Sequence, residues 1–223
     1  MTPCPDKALK TLENTVAPPL PTDIPLFDFH THNPDAPAGR AIICLPEETL
    51  LRPETFRPRR GVLYAAGVHP WWCGRSDDDQ LWDGVERLAR TGRLAALGEC
   101  GYDRLRGDIS RQEALFRRHA RLADELGLPL TVHCVRALDL LLAARRELQP
   151  TARWTLHSFR GKPAQARQLL AAGFDLSFGP RFNADSLRLC PPERLHIETD
   201  DTGLDIETVH RAIIGAASAG LPQ

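Results

Sequence analysis

The stretch Leu26-Phe27-Asp28-Phe29-His30-Thr31-His32 decides how the rest of the chain is interpreted. Short apolar runs rich in Phe and Leu are typical of strands buried on both faces. Residues i and i+2 of a strand point to the same side, so His30 and His32 are expected to reach one point together. Two neutral imidazoles at the end of a buried strand form half of a divalent-metal site. An isolated His-x-His is more often a pair of surface histidines in a loop. The rest of the sequence therefore has to decide between a metal site and a surface loop.

Length and composition indicate one α/β domain. The chain has 223 residues and a formal net charge of −1. A protein that coats nucleic acid by electrostatics alone is usually clearly basic, so a phosphate-bearing substrate has to be held locally. No run of 18 apolar residues is present, and residues 1–23 are Pro-rich and polar without the apolar segment of a signal peptide. We expect a flexible leader over residues 1–23, a single domain over residues 24–223, no membrane association and a cytoplasmic location. The oligomeric state stays open, with a monomer favoured.

The six cysteines are spread along the chain without a Cys-x-x-Cys spacing. This pattern favours reduced, buried thiols over a disulfide scaffold or a zinc knuckle. Cys100 and Cys134 neighbour candidate site residues, but strand alternation is expected to turn both into the core.

Eight apolar segments have the length of strands, at residues 26–32, 41–46, 62–70, 94–99, 128–133, 153–157, 174–178 and 195–200. Helical patterns follow at residues 80–91, 110–126, 137–148, 163–172, 183–189 and 205–219. The helix at 110–126 is expected to begin with a capping box of Ser110 and Glu113. Between residues 47 and 60, Pro53 and Pro58 leave room for one short helical turn. This order predicts an α/β fold, a distorted (β/α)8 TIM barrel with abbreviated first βα units.

A doubly wound open sheet is the structural alternative. That fold binds dinucleotides through a glycine-rich loop, and Gly98-Glu99-Cys100-Gly101 does not fit its fingerprint. The barrel is therefore the preferred interpretation.

Polar side chains stand at the carboxyl ends of the predicted strands, namely His30, His32, His69, Glu99, His133, His157 and Asp200. In a barrel these ends converge on the face that carries active sites. Each would be a buried polar group in need of a partner, and a shared metal centre satisfies all of them together.

Four imidazoles and two carboxylates exceed the needs of one tetrahedral zinc site. They suit two divalent ions bridged by one carboxylate, an arrangement that activates water and stabilises the departing oxyanion in phosphoryl hydrolysis. Glu99 is the predicted bridge, and Asp200 is expected to ligate the first ion and to orient or deprotonate the attacking water. Mixed histidine and carboxylate ligation admits Zn, Mg, Mn or Ni.

Six motifs, taken in chain order, carry a family resemblance. They are Phe27-Asp28-Phe29-His30-Thr31-His32, Gly67-Val68-His69-Pro70, Gly98-Glu99-Cys100-Gly101-Tyr102-Asp103, Val132-His133-Cys134, Leu156-His157-Ser158-Phe159 and Glu198-Thr199-Asp200. Jointly they resemble the TatD family of metal-dependent hydrolases and deoxyribonucleases, in the amidohydrolase superfamily, and in particular a short branch of it. The resemblance implies a distorted TIM barrel, two divalent ions and phosphodiester hydrolysis, often of DNA ends.

The resemblance also implies roles for individual residues. One ion would be held by His30, His32, Glu99 and Asp200, and the other by Glu99, His133 and His157. His69 would contact the substrate phosphate, so that catalytic roles fall to Asp200, Glu99 and His69. Better-known members have a longer region between the first and third strands and read His-Cys-Phe-Thr-Gly where this chain has His157-Ser158-Phe159-Arg160-Gly161. The ligands survive these departures, whereas the walls of the substrate pocket differ.

Five further residues are weaker candidates. Arg136, Arg160 and Lys162 follow ligand-bearing strands and are candidates for clamping a phosphate, with solvated loops as the equal alternative. Trp71 and Trp72 could stack a nucleobase, but packing over the barrel mouth is the favoured interpretation.

Three functions remain in competition. The leading hypothesis is a two-metal phosphodiesterase, a nuclease acting on DNA ends or on a small phosphodiester. The second keeps the same site and hydrolyses a small ester, a lactone or an amide, because barrels of this kind change chemistry through their loops. The third is a non-catalytic metal-binding or partner protein, which predicts at least one missing ligand, and the sequence lacks none.

Overall fold

Eight parallel strands form one sheet in sequential order within residues 24–219, the part of the chain that the computed structural model describes. They are β1 (Asp28–Thr31), β2 (Ala41–Cys44), β3 (Leu63–Ala66), β4 (Ala96–Asp103), β5 (Leu130–Val135), β6 (Trp154–Leu156), β7 (Phe174–Phe178) and β8 (Leu195–Ile197). A parallel bridge between Thr31 and Asp200 brings the end of the sheet back to β1. The predicted barrel is confirmed and the open doubly wound sheet is wrong. The expected leader over residues 1–23 lies outside the described residues.

Helices cover the outside of this sheet. They are α1 (Glu47–Leu51), α2 (Asp78–Arg90), α3 (Ile109–Leu126), α4 (Leu138–Leu148), α5 (Pro163–Ala171), α6 (Ala184–Arg188) and α7 (Ile206–Ser218). Between β1 and β2 there is no helix, and between β2 and β3 there are only α1 and a 3-10 turn at Pro53–Thr55, so the first units are abbreviated as expected. Within the described part, none of the helices combines the length and the hydropathy needed to cross a membrane.

Several element ends differ from the expected ones, for example β3 and β8, which are shorter than the predicted strands, and two of the differences have a clear local cause. The fourth strand was expected to end at Glu99, but β4 continues to Asp103 because Gly98 and Gly101 let its backbone approach β5 closely. A Cβ atom on Gly101 would collide with the carbonyl oxygen of His133. Helix α3 begins at Ile109, and its N-cap is Asp108, whose carboxylate accepts a hydrogen bond from the Arg111 N–H at 2.8 Å.

The hydrophobic core is divided by the sheet. The larger cluster packs the outer face of the strands against the helices and includes the fully buried Phe116, Trp154 and Phe174. A smaller cluster of Ile42, Ala65 and Ala96 packs with Phe27 and Phe29. Because strand side chains alternate, this second cluster faces the inside of the barrel beneath the polar strand ends.

A polar seam joins β1 to the segment after β8. The Asp28 carboxylate accepts hydrogen bonds from the backbone N–H and the hydroxyl of Thr199, at 3.0 and 2.6 Å. One residue further, the Asp200 N–H donates to the His30 carbonyl at 3.0 Å, and the His32 N–H donates to the Asp200 carbonyl at 3.2 Å. The seam therefore fixes the backbones of three candidate site residues against one another.

Candidate metal centre

The seven polar residues predicted at strand ends lie together at the carboxyl end of the barrel. We refer to them as the candidate metal centre: His30, His32, His69, Glu99, His133, His157 and Asp200. Glu99 is buried at the middle of this group, and the imidazoles surround it.

One oxygen of Glu99 faces the first two histidines. Its Oε1 atom lies 3.3 Å from His30 Nε2 and 3.1 Å from His32 Nε2. Asp200 Oδ1 lies 3.9 and 3.7 Å from the same two nitrogens. His30 is fully buried, whereas the side chain of His32 is 41% exposed. Two imidazoles and two carboxylates thus converge at the solvent side of the centre.

The other oxygen of Glu99 faces a second set of histidines. Its Oε2 atom lies 2.6 Å from His157 Nε2, 3.1 Å from His133 Nδ1 and 3.6 Å from His69 Nε2. The two oxygens of one carboxylate are therefore directed at different groups of nitrogen donors. This is the arrangement that a bridging carboxylate requires.

Charges within the centre are strongly coupled. Burial by itself raises the pKa of Glu99, but His157, His133 and His30 outweigh it and hold this pKa well below its usual range. For His157 burial lowers the pKa, and the nearby Glu99 and Glu198 carboxylates outweigh that effect, so its pKa lies well above the usual value. The hydrogen bond to Glu99 raises the pKa of His32. Glu99 is therefore ionised, and the imidazoles around it compensate its charge.

The donor set fits divalent metal ions. Both ring nitrogens of His30 are buried and have no hydrogen-bond partner among the described residues. Within residues 24–219, His, Cys and carboxylate donors that lie within 4.8 Å of one another form three groups: His30, His32, Cys44 and Glu99; His30, His157 and Asp200; and His69, Glu99 and His133. Imidazole with carboxylate is the ligation that Zn, Mn or Ni accepts in proteins.

Cys44 is a member of the first group that sequence reasoning did not assign to the site. It ends β2, next to β1, and its thiol contacts the Gly98 carbonyl at 3.7 Å. Burial raises the pKa of Cys44 to about 12. Cys44 is therefore a neutral thiol packed beside the centre, and a bound cation would have to displace its proton before it could serve as a ligand.

Two buried carboxylates stand behind the histidines, and sequence reasoning missed both. Glu198 Oε1 lies 3.4 Å from His157 Nδ1, and Asp103 Oδ2 lies 3.6 Å from His133 Nε2. Carboxylates in this position orient metal-binding imidazoles. Strand alternation offered a signal, because Glu198 is two residues before Asp200, and Asp103 is four residues after Glu99 on β4.

His69 is held by its neighbours. The backbone N–H of Trp71 donates to His69 Nδ1 at 3.2 Å. The neutral imidazole of His69 therefore carries its proton on Nε2, which points towards Glu99. Burial lowers the pKa of His69 to about 4. Behind it, the fully buried His119 accepts a hydrogen bond from the Val68 N–H at 3.0 Å and donates to the Leu115 carbonyl at 2.8 Å.

A cavity of about 870 Å³ opens beside the centre. Its lining includes His133, His157 and Asp200, and also the predicted phosphate contacts Arg136 and Arg160. The third predicted contact, Lys162, precedes α5 at an exposed position and does not line this cavity.

The remaining predictions have mixed outcomes. Cys100 is buried as expected, whereas Cys134 is only half-buried and lines the large cavity while it packs against the core. The two tryptophans separate: Trp72 packs against the core, but Trp71 is 46% exposed. Trp72 is packed, as expected for both residues, whereas Trp71 lies beside His69 and His133 with much of its ring exposed.

Three residues at the rim adopt left-handed backbone conformations. Arg136, Ser158 and Asp200 have φ angles of 51°, 48° and 57°, and each follows or ends a ligand-bearing segment. The Ser158 N–H donates to Glu198 at 2.6 Å, which holds the turn after His157. Unusual backbone conformations of non-glycine residues concentrate at functional sites.

Comparison with known proteins gives the family. The model of the TatD related DNase family matches residues 46–205. An uncharacterized metal-dependent hydrolase of Buchnera aphidicola is 31% identical over 160 residues, which are 65% of this chain and 61% of the relative. A 3'-5' ssDNA/RNA exonuclease TatD of Klebsiella pneumoniae is 32% identical over 152 residues, 63% of this chain and 57% of the relative. The chain belongs to the TatD related DNase family, and it spans about three fifths of the length of these curated relatives.

Solved structures support the fold. The TatD homologue YjjV from Escherichia coli superposes with a TM-score of 0.67 at 22% identity, over 87% of this chain and 94% of that chain. A TatD family hydrolase from Entamoeba histolytica superposes with a TM-score of 0.54 at 22% identity, over 71% and 59% of the two chains.

Proposed function

We propose that this protein is a metal-dependent phosphodiesterase that cleaves single-stranded nucleic acid at the candidate metal centre. The observation that carries the proposal is the orientation of the Glu99 carboxylate, whose two oxygens face two different sets of imidazoles. The family membership agrees with this chemistry, as does the exonuclease activity for which the Klebsiella relative is named.

In this proposal Glu99 would be shared by two divalent ions. His30, His32 and Asp200 would hold one of them together with Glu99, and His133 and His157 would hold the other. Bound divalent ions supply Lewis acidity, which polarises a phosphoryl oxygen, acidifies water and stabilises a leaving oxyanion. The chain supports the donors from behind, through Glu198 at His157 and Asp103 at His133.

Asp200 is the proposed general base. It is half-buried, it lines the large cavity, and it stands at the solvent side of the centre. The seam to His30 and His32 fixes its backbone, so its carboxylate is held in one place to orient water and accept a proton.

His69 is the proposed donor to a phosphate oxygen. Its Nδ1 atom is engaged by the Trp71 N–H, which leaves Nε2–H directed into the centre. Because its pKa is lowered to about 4, His69 is neutral at neutral pH and donates this hydrogen bond without adding a charge.

Arg136 and Arg160 are proposed to hold further phosphates of the substrate. Both line the large cavity, and the Arg160 guanidinium is tethered to the Ser158 hydroxyl at 2.9 Å. A cavity of about 870 Å³ has the size of small-molecule sites, which favours a nucleotide-sized part of a single strand over a long duplex. Action on DNA ends rests on the family resemblance.

Cleavage of end-labelled single-stranded DNA tests the proposal. The protein is stripped of metal and reloaded with Mg, Mn or Zn, and a Glu99→Ala variant is assayed in parallel. We expect the wild type to shorten the strand when a metal is present, and the Glu99→Ala variant to have lost this activity. The position of the label shows which end of the strand is attacked. A strand that stays intact with every metal contradicts the proposal.

The cavity size also admits a smaller substrate, and the same preparations distinguish that case. Cleavage of a chromogenic phosphodiester without cleavage of DNA keeps the metal chemistry and moves the substrate to a small phosphodiester. Hydrolysis of a lactone, an ester or an amide alone indicates the second hypothesis. Metal binding without any hydrolysis indicates a non-catalytic metal-binding protein.

A further inference from the structure

Trp71 is an exposed aromatic side chain at the mouth of the barrel. It lies in the 3-10 turn Pro70–Trp72, directly after His69, and 46% of its surface is exposed. Exposed tryptophans are unusual in a chain that buries Trp82 and Trp154. The position of Trp71 and the contacts that hold its ring indicate a role for this exposed side chain.

The indole ring is anchored at its polar edge. Trp71 Nε1–H donates to the buried carboxylate of Asp103 at 2.7 Å, and the Asp103 carboxylate also accepts from the Leu105 N–H at 2.8 Å. A ring that is fixed at one edge loses little further freedom when a ligand stacks on it.

The ring stands next to two residues of the candidate metal centre. Its centroid lies 4.8 Å from the ring of His69 and 6.4 Å from the ring of His133. Both imidazoles are nearly perpendicular to the indole, at 79° and 77°, so neither is stacked flat upon it. A group stacked on Trp71 would be next to a phosphate held at the centre.

Arg106 supplies a cation at the same place. Its guanidinium lies 4.1 Å from the centroid of the Trp71 ring. Within residues 24–219, no carboxylate pairs with Arg106, whereas Arg104 in the same turn is bound by Asp139 at 2.6 and 2.7 Å. Arg106 is therefore the arginine of this turn that is available to a phosphate.

We infer that Trp71 and Arg106 form a nucleobase platform, on which a base of the substrate strand stacks while its phosphodiester occupies the candidate metal centre. An aromatic plane combined with an arginine is a recurring means of binding single-stranded nucleic acid without sequence preference. Arg106 lies over one face of the indole, so the base would stack on the opposite face. The inference rests on the proposed function and specifies its substrate: a strand that carries bases, not a bare phosphodiester.

Binding of two matched strands tests the platform. The metal-loaded protein is titrated with fluorescently labelled oligothymidylate and with an abasic strand of the same length, both with phosphorothioate linkages to slow cleavage, and the dissociation constant is read from anisotropy. We expect Trp71→Ala to weaken binding of the base-bearing strand by about tenfold more than binding of the abasic strand. Trp71→Phe, which keeps a ring, retains most of the affinity.

Arg106 and Arg104 provide a matched pair of variants. Arg106→Ala is expected to weaken both strands and to reduce the salt dependence of binding by about one phosphate contact. Arg104→Ala, which removes the arginine bound by Asp139, changes neither value. Equal affinity of the wild type for the two strands, or equal weakening of both by Trp71→Ala, overturns the inference.

Failure of the platform and failure of the proposed function are distinguishable. A wild type that prefers the base-bearing strand through Trp71 but cleaves no natural strand keeps the platform and contradicts the proposed function. If the wild type cleaves both natural and abasic strands, and Trp71→Ala cleaves both equally well, the proposed function holds and the platform is overturned.

Discussion

Glu198 shows how a single buried residue supports the candidate metal centre. It is fully buried, faces His157 Nδ1 at 3.4 Å and accepts the Ser158 N–H at 2.6 Å. We predict that Glu198→Gln lowers metal affinity by about 10- to 100-fold, because the imidazole loses the carboxylate that orients it. Titration calorimetry with Mn²⁺ measures the change. Glu207→Gln, at an exposed helix position, is the control, and equal affinities in all three proteins would falsify the role of Glu198.

His119 gives a prediction for the pH dependence of stability. Burial lowers its pKa to about 4, while in the unfolded chain the ordinary value near 6.5 applies. Between these values the unfolded chain binds the proton and the folded chain does not, so stability present above pH 6.5 is lost as the pH falls. At pH 5 the loss from this residue is about 2 kcal/mol.

Denaturant unfolding at pH 7 and pH 5 measures this contribution. In His119→Gln the side chain does not titrate, so the difference between the two pH values is expected to be smaller than in the wild type. If the variant and the wild type lose the same stability, His119 is not the group that causes the loss.

At the residue scale the strand-end pattern brought together the members of the centre, since each lies in a strand or within three residues after its carboxyl end. Alternation places Glu198 and Asp103 on the same side of the chain as Asp200 and Glu99, but it does not show which side chains these two carboxylates support. Asp103 lies beside His133 only because β4 continues past Glu99. His119 contacts Val68 from a helix, 51 positions further along the chain. Such long-range pairings depend on packing.

Among the elements, β4 carries the strongest constraint. Gly101 has a φ angle of 143°, and a Cβ atom there would collide with the His133 carbonyl of β5. We predict that Gly101→Ala destabilises the fold by about 2–5 kcal/mol, from backbone strain together with the displaced strand. Gly215→Ala in α7 is the control, because nothing lies within 4 Å of the added atom, and it is expected to stabilise by about 0.5–1 kcal/mol.

Denaturant unfolding curves measure both changes. A Gly101→Ala variant as stable as the wild type would show that β4 and β5 separate at little cost in free energy, which contradicts a constraint from their close approach.

The elements were largely predictable because apolar runs alternate with helical patterns along the whole chain. The ends of elements were less so. In the sequence, the two glycines of Gly98-Glu99-Cys100-Gly101 predict the end of a strand. In the structure they permit close pairing of β4 with β5, and the strand continues. Asp108 caps α3 two residues before Ser110, because either side chain suits an N-cap and the approach of the preceding loop decides between them.

The whole barrel depends on the seam between β1 and the segment after β8. The Thr199 hydroxyl donates to Asp28 and also lies 2.9 Å from the Thr31 hydroxyl. We predict that Thr199→Val destabilises the protein by about 1–3 kcal/mol, because the buried Asp28 carboxylate loses one of its donors. Thermal unfolding measures the effect.

Thr55→Val is the control for that variant. The Thr55 hydroxyl donates only to a carbonyl of its own exposed turn, so its loss is expected to change stability by less than about 0.5 kcal/mol. Equal unfolding temperatures for Thr199→Val and Thr55→Val contradict the importance of the seam.

The central claim is that two divalent ions share Glu99, and diffraction from crystals containing Mn²⁺ tests it most directly. We predict two anomalous peaks in each chain, one contacted by His30, His32, Glu99 and Asp200, and one contacted by Glu99, His133 and His157. In Glu99→Gln at least one of the two peaks is lost. A single peak in the wild type, no peak, or peaks that Glu99 does not touch contradict the account.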